Sequence, residues 1–319
     1  VQDVLHPFLF TGLPVRGALV QVSAGWREVL KRREGAGAFP PPVEALLGEM
    51  VAAGILMFSS IKFDGRLILQ LHGDGPLKLG VVEVSSGLRF RATARIDGTV
   101  LDGMTLPTLA NQGRQGRCAI TLDPRKRQAG SLPYQGIVPL FDDSGRSVEH
   151  LASALEHYML QSEQLDTRLM LAADESCAAG LLLQRMPTVG GRALGHDENE
   201  AQIGRNEDFN RIATLGSTVT PAELLQLDPD TLLRRLFWEE PLERFAPRAL
   251  DFECSCGRER VRDMLVGLGQ TEVEDILAEQ GQVEVGCDFC GNSYRFDAVD
   301  VGDMFTADLD QGGATTRLQ

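Results

Sequence analysis

Four of the six cysteines stand in two tight pairs, Cys254-Ser255-Cys256 and Cys287-Asp288-Phe289-Cys290, with 30 residues between them. Nothing else in the chain limits its folding as strongly. In a reducing compartment, paired cysteines serve as metal ligands or redox groups rather than as structural disulfides. Zinc takes four thiolates in a tetrahedron, and two short pairs supply them when folding brings two turns together. The spacing therefore predicts a small C-terminal module, about Asp251 to Phe305, closed around one zinc ion held by Cys254, Cys256, Cys287 and Cys290. Four thiolates leave no open position for a substrate, so the site reads as structural rather than catalytic. Two alternatives remain: four buried free thiols, or thioredoxin-like chemistry at Cys287 and Cys290, which lacks the expected βαβ setting.

A module of about fifty-five residues is close to the size at which a core is marginal without a staple. Zinc contributes ~10–16 kcal/mol in small zinc domains. A disulfide inside either pair closes a very small ring and hardly restricts the unfolded chain. Should an oxidant turn the four thiolates into two such local disulfides, the metal would leave and nothing covalent would span the gap. The module would then unfold. A cross-paired bond such as Cys254 to Cys287 would keep the tie.

Residues 1–188 read as an α+β core domain, with helices covering a largely antiparallel sheet. Val15–Ser23 alternates like a strand, with Ala18, Val20 and Val22 on one face. Pro40-Pro41-Pro42 precedes an apolar helix over Val43–Ser60. Strands follow over Leu67–Leu71, Gly80–Val84, Phe90–Ile96, Cys118–Leu122 and Gly136–Leu140. A helix over Ser147–Ser162 and a closing strand pair, Arg168–Ala172 and Ala179–Gln184, complete the domain.

Residues 189–250 read as a flexible and then helical linker. Thr220-Pro221-Ala222-Glu223 has the pattern of a capping box, and Asp228-Pro229 starts a second helix. The apolar side of these helices, including Leu225, Leu232, Leu236 and Phe237, is too large to stay uncovered and is expected to dock on the core domain. In the module at 251–305, helices are expected from Glu259 and from a second capping box at Thr271, and a strand near Val283–Val285. Residues 306–319 read as a disordered tail.

The chain carries a formal charge of −14. Between Asp251 and Phe305 there are four arginines, no lysine and thirteen acidic residues, a net of −9. Such a surface repels phosphate, which argues against nucleic acid as a partner of the cysteine module. No run of ~20 consecutive apolar residues suggests a membrane span, and no secretory signal is evident at the start, so the expected location is cytoplasmic.

Several segments resemble one family. Phe252-Glu253-Cys254-Ser255-Cys256, Arg258-Glu259-Arg260, Ile276-Leu277-Ala278-Glu279 and Cys287-Asp288-Phe289-Cys290-Gly291-Asn292-Ser293-Tyr294 resemble the heat shock protein thirty-three family of redox-regulated bacterial holdases. Upstream, Lys62–Gly65, Gln70–Pro76, Tyr134–Gly136, Ser162–Arg168 and Leu183–Pro187 resemble that family's segments in the same order. The departures are Gly257, where a small hydroxyl residue is common, and a longer, more glycine-rich stretch at 189–205.

The resemblance implies a reduced, zinc-bound, inactive state. Peroxide or hypochlorous acid under unfolding conditions would form the disulfides Cys254–Cys256 and Cys287–Cys290 and release zinc. The linker would then loosen and expose Leu225, Leu232, Leu236 and Phe237 to unfolding or oxidatively damaged client proteins, without ATP and as a homodimer. A disulfide reductase acting through Cys287 and Cys290, and a zinc adaptor without redox response, are the competing readings. Cys118 and Cys177 are expected to be packed thiols, and Gly73-Asp74-Gly75-Pro76 a turn, since it lacks the lysine and helix of a phosphate loop. His72, His150 and His157 have no catalytic spacing.

Overall fold

The computed structural model describes residues 3–33, 37–126, 133–142, 144–186 and 204–311, with side chains through Thr306. Residues 189–203, where the flexible part of the linker is expected, lie outside the described residues. The chain divides into two compact units, Val1–Glu253 and Cys254–Gln319.

The first unit holds two six-stranded sheets where the sequence suggested one. One contains β1 (Val4–Phe10), β2 (Val15–Val22), β8 (Thr167–Ala173) and β9 (Ala178–Arg185), edged by the short β10 (Leu242–Arg244) and β11 (Arg248–Ala249). The other runs in the order β12 (Asp251–Phe252), β5 (Arg89–Ile96), β4 (Leu77–Ser85), β3 (Gly65–His72), β6 (Arg117–Pro124), β7 (Tyr134–Pro139). All pairings are antiparallel except β12 with β5. Four helices belong to this α+β core: α1 (Ala24–Arg33), α2 (Pro41–Ser60), the short α3 (Leu106–Ala110) and α4 (Leu151–Glu163).

Helix α2 starts where Pro41 fixes its first turn and packs against strands of both sheets. Its 20 residues are long and apolar enough to cross a membrane, contrary to the sequence expectation, but most are buried inside the protein. Val43, Met50, Ile55 and Leu56 have no exposed surface, so this is a core helix.

Strand β9 is buried along its whole length because both faces of its sheet are covered. Ala178 and Leu182 face the core around α2. Ala179, Leu181 and Leu183 face a second cluster with Phe8, Phe10, Val15 and Leu19. That second cluster is roofed by three helices, α5 (Glu207–Gly216), α6 (Pro221–Gln226) and α7 (Pro229–Phe237).

The start signals read from sequence operate as expected at α6 and α7. The Thr220 hydroxyl accepts from the Glu223 amide while Glu223 accepts from the Thr220 amide, and Asp228 accepts from the amides of Asp230 and Thr231. Helix α5 was not legible in the same way, although Asn206 caps it by accepting from the Phe209 amide. Helix α1 has a remote cap. The Asp3 carboxylate accepts from the amides of Ser23, Ala24 and Gly25, some twenty residues along the chain.

Between α2, α4, β8 and α6 lies a cavity of about 360 Å³. Burial pushes the Glu49 carboxyl in its wall from 4.5 up to about 7. The other titratable or charged groups facing the cavity are His150, just before α4, Glu156 of α4 and Arg168 of β8. Burial also raises Glu156, against the opposing effects of the Leu169 amide and Arg168. A carboxyl raised in the folded state stabilises it fully below the unfolded value and loses that contribution as pH rises through about 7. Urea midpoints of the wild type are therefore expected to fall between pH 5 and pH 8, Glu49 contributing at most about 3 kcal/mol. In Glu49→Gln the fall shrinks, leaving the contributions of the raised Glu156 and Glu44 against those of the lowered His6 and His72, and an unchanged fall would contradict this assignment.

Candidate metal centre

In the second unit, each cysteine pair is set by a short local turn. Strands β13 (Val283–Gly286) and β14 (Ser293–Phe296) pair antiparallel, Gly286 opposite Ser293, and the loop they enclose carries Cys287 and Cys290. The Cys287 amide donates to the Asn292 carbonyl at 2.9 Å, and the amides of Cys290 and Gly291 donate back to the Cys287 carbonyl at 3.3 and 2.8 Å. Gly291 closes this knuckle at φ 70°, a left-handed conformation that glycine adopts without strain. Cys254 and Cys256 directly precede α8 (Arg258–Leu268), and Arg260 holds the bend between them by donating to the Ser255 carbonyl and hydroxyl.

The four sulfurs lie within 4.8 Å of one another. Cys256 and Cys290 are 3.2 Å apart, and Cys254 and Cys287 3.6 Å. A tetrahedron with Zn–S bonds of ~2.3 Å has S···S edges of ~3.8 Å, so the cluster has the size and the donor chemistry for zinc. These two close approaches both join one pair to the other. Proximity in the reduced cluster therefore does not select the local disulfides.

The thiols differ in environment. Burial pushes the Cys256 thiol up, but hydrogen bonds from the Tyr294 hydroxyl and the neighbouring thiols outweigh it and bring the group down to about 7. Burial raises Cys287 and Cys290. Zinc displaces such protons, since only the thiolate is a ligand. Cys118 and Cys177, expected to be packed, are buried, and burial pushes both thiols up, Cys118 to about 12. Neither is part of the four-cysteine cluster.

The unit around the cluster has a small core. Among the described residues, Leu265, Val273, Val283, Phe296, Val301 and Met304 form its buried hydrophobic cluster. They come from α8, α9 (Gln270–Gln280), the hairpin and α10 (Ala298–Gln311). Helix α9 begins at Gln270 after Gly269, so the capping box expected at Thr271 does not form. Helix α10 runs to Gln311 where a tail was expected from residue 306, and Asp297 caps its start by accepting from the amides of Val299 and Asp300. Residues 312–319 lie outside the described residues.

The apolar residues singled out in the linker sit on the first unit. Leu232, Leu236 and Phe237 are buried in the second cluster, and Leu225 packs partly buried beside them. Phe237 meets Phe10 edge-on at 5.0 Å. Gly17 makes room for this stack, since a Cβ there would lie 2.2 Å from the Phe8 ring. Leu224, Leu233, Phe209 and Ile212 share the interface and complete the apolar stripe. From Phe237 to Glu253 the chain is held by three short pairings, β10 and β11 on β1 and β12 on β5, with an ion pair from Arg89 to Glu253.

Sequence reading missed two groups. Tyr294 donates to the Cys256 sulfur at 3.1 Å, and its only sequence signal is a tyrosine in the strand leaving the knuckle. Asp166 and Arg185 form an ion pair at 2.6 Å, with side-chain exposures of 5% and 3%.

Comparisons with known proteins agree in direction. A family model described as Hsp33 protein matches residues 3–297. A 33 kDa chaperonin of Chromobacterium violaceum is 46% identical over 307 residues, covering 96% of this chain and 95% of its own length. One from Methylobacillus flagellatus is 41% identical, covering 99% of each chain. The crystal structure of the 33 kDa chaperonin of Thermotoga maritima superposes with a TM-score of 0.73 at 18% identity, covering 97% of this chain and all of its own. This last likeness concerns the fold.

Proposed function

The chain belongs to the Hsp33 family of redox-regulated chaperones, and from that premise we propose how its own residues work the switch. Its four-cysteine group is able to hold zinc, and the family is one of chaperones, not enzymes, which removes the reductase reading of Cys287 and Cys290. In the reduced state Cys254, Cys256, Cys287 and Cys290 hold one zinc ion, which supplies the cross-link that ties the two turns together. Oxidation yields the disulfides Cys254–Cys256 and Cys287–Cys290. The zinc is released, and the tie across the intervening residues goes with it.

The second unit then unfolds, in keeping with its six-residue core. The segment from Phe237 to Glu253, held by two- and three-residue pairings and by Leu250 and Phe252 against the core, then loosens. Helices α5–α7 come away and expose Leu225, Leu232, Leu236 and Phe237 with the sheet face beneath them. An apolar patch of that kind binds unfolded chains, and a homodimer doubles it. In this reading residues 1–188 are the core domain, 189–250 the linker and 251–305 the switch, and the protein works in the cytoplasm.

The observation that carries the proposal is four sulfurs gathered within 4.8 Å in a unit whose own hydrophobic core is small. The test is light scattering from a thermally unfolding client, without ATP, with reduced zinc-loaded protein and with protein treated with peroxide at elevated temperature. Only the treated sample should suppress aggregation. Leu232→Glu, which places a charge at a fully buried position, is expected to lower the temperature at which peroxide activates. Equal suppression by reduced and oxidised protein would overturn the proposal.

A further inference from the structure

The two cysteine pairs receive their hydrogen bonds from different sources. In the Cys287–Cys290 knuckle, burial raises both thiols while neighbouring backbone amides, those of Phe289 and Cys290 at Cys287 and that of Asn292 at Cys290, act to lower them. Cys256 takes its bond instead from a side chain. The Tyr294 hydroxyl donates to its sulfur at 3.1 Å from β14, where Tyr294 lies opposite Val285. Unlike a backbone amide, this donor is removed by deleting one oxygen atom.

We propose that Tyr294 is a positioning residue for Cys256, restraining attack by oxidants and other electrophiles on its sulfur and thereby helping to set the threshold of the switch. The redox part rests on the zinc-switch reading above. A hydrogen bond to a thiolate occupies a sulfur lone pair and lowers its nucleophilicity. With hydrogen peroxide as oxidant, the thiolate sulfur forms an S–O bond as the O–O bond breaks, giving a sulfenic acid and hydroxide. A second thiolate then attacks that sulfur, forming the S–S bond and releasing a second hydroxide. Two electrons pass from the thiolate pair to the peroxide, and both hydroxides take up protons to become water. The first of these steps is the one that Tyr294 slows.

The test compares wild type with Tyr294→Phe as full-length, zinc-loaded, reduced protein. Each is alkylated with iodoacetamide, and the rate at each cysteine is followed by peptide mass spectrometry. Alkylation needs no redox response, so the result stands whether or not peroxide releases zinc. Cys256 is expected to react about two- to tenfold faster in Tyr294→Phe, the range spanned by one hydrogen bond, with Cys287 and Cys290 unchanged. In cobalt-loaded protein the sulfur-to-metal charge-transfer band is expected to shift to lower energy. An unchanged melting temperature shows that the fold is intact. An unchanged Cys256 rate, or equal acceleration at all four cysteines, would overturn the proposal. If Cys256 does accelerate but neither protein loses zinc to peroxide, the switch reading fails while the Tyr294 assignment stands.

Discussion

Stripping zinc from the reduced protein with a strong chelator is expected to unfold residues 254–311 and loosen α5–α7, while α2 and the two sheets of the first unit stay folded. Among the described residues, the second unit's buried hydrophobic cluster is six side chains, and Cys290 is buried as well. Partly buried apolar side chains such as Ile276, Leu277 and Phe305 pack around them, and exposed ion pairs such as Arg258 to Asp300 at 2.7 Å contribute only ~0–1 kcal/mol each. Against this, zinc contributes ~10–16 kcal/mol in domains of comparable size. No other single change to the protein has an expected effect as large. Hydrogen exchange should show protection lost across α8, α9 and the β13–β14 hairpin, while α2 and β9 stay protected. Cys287→Ser should reproduce the pattern without a chelator. Persistent protection in the stripped second unit would mean that its core suffices and the metal is incidental.

Replacing Asp166 with alanine is expected to destabilise the first unit by about 3–5 kcal/mol, the cost of leaving one member of a buried ion pair without its partner. Both side chains are almost fully buried, and the second Asp166 oxygen accepts from the Gly204 amide at 2.8 Å. The backbone doubles the link, since the Arg185 amide donates to the Asp166 carbonyl at 2.9 Å. Asp166 thus pins the end of β9 and the start of the α5 region to one point. Asp166→Ala should lower the urea midpoint of the first unit. Asp166→Ala with Arg185→Leu should recover much of the loss, because a matched apolar pair has no stranded charge. A single mutant as stable as wild type would show that water satisfies Arg185.

These two cases mark what the sequence disclosed. The metal cluster was legible because its chemistry is local: two residues of each pair share one turn, and zinc needs only that the turns meet. Helices α6 and α7 were legible through Thr220, Asp228 and the prolines after them, all of which act within four residues. The Asp166–Arg185 pair was not, because neither residue's neighbours announce a contact nineteen positions away. Strand β1 was hidden by His6 and Pro7, which interrupt its apolar pattern, and the strand is instead held by partners on both sides. Helix α1 was missed because its cap, Asp3, comes from a distant part of the chain. The second sheet went unseen because alternation shows which face of a strand is apolar but not which strands share a sheet. Tyr294 lay beside the cysteine motif, yet its role depends on the fold that turns its hydroxyl toward Cys256.

The most direct test of the switch is to titrate the reduced, zinc-loaded protein with peroxide at elevated temperature while counting released zinc and remaining thiols in the same sample. The account predicts one zinc lost with four of the six thiols, Cys118 and Cys177 staying reduced, and peptide mapping that finds Cys254 joined to Cys256 and Cys287 to Cys290. Zinc that stays bound as thiols disappear, or disulfides that join one pair to the other, would contradict it.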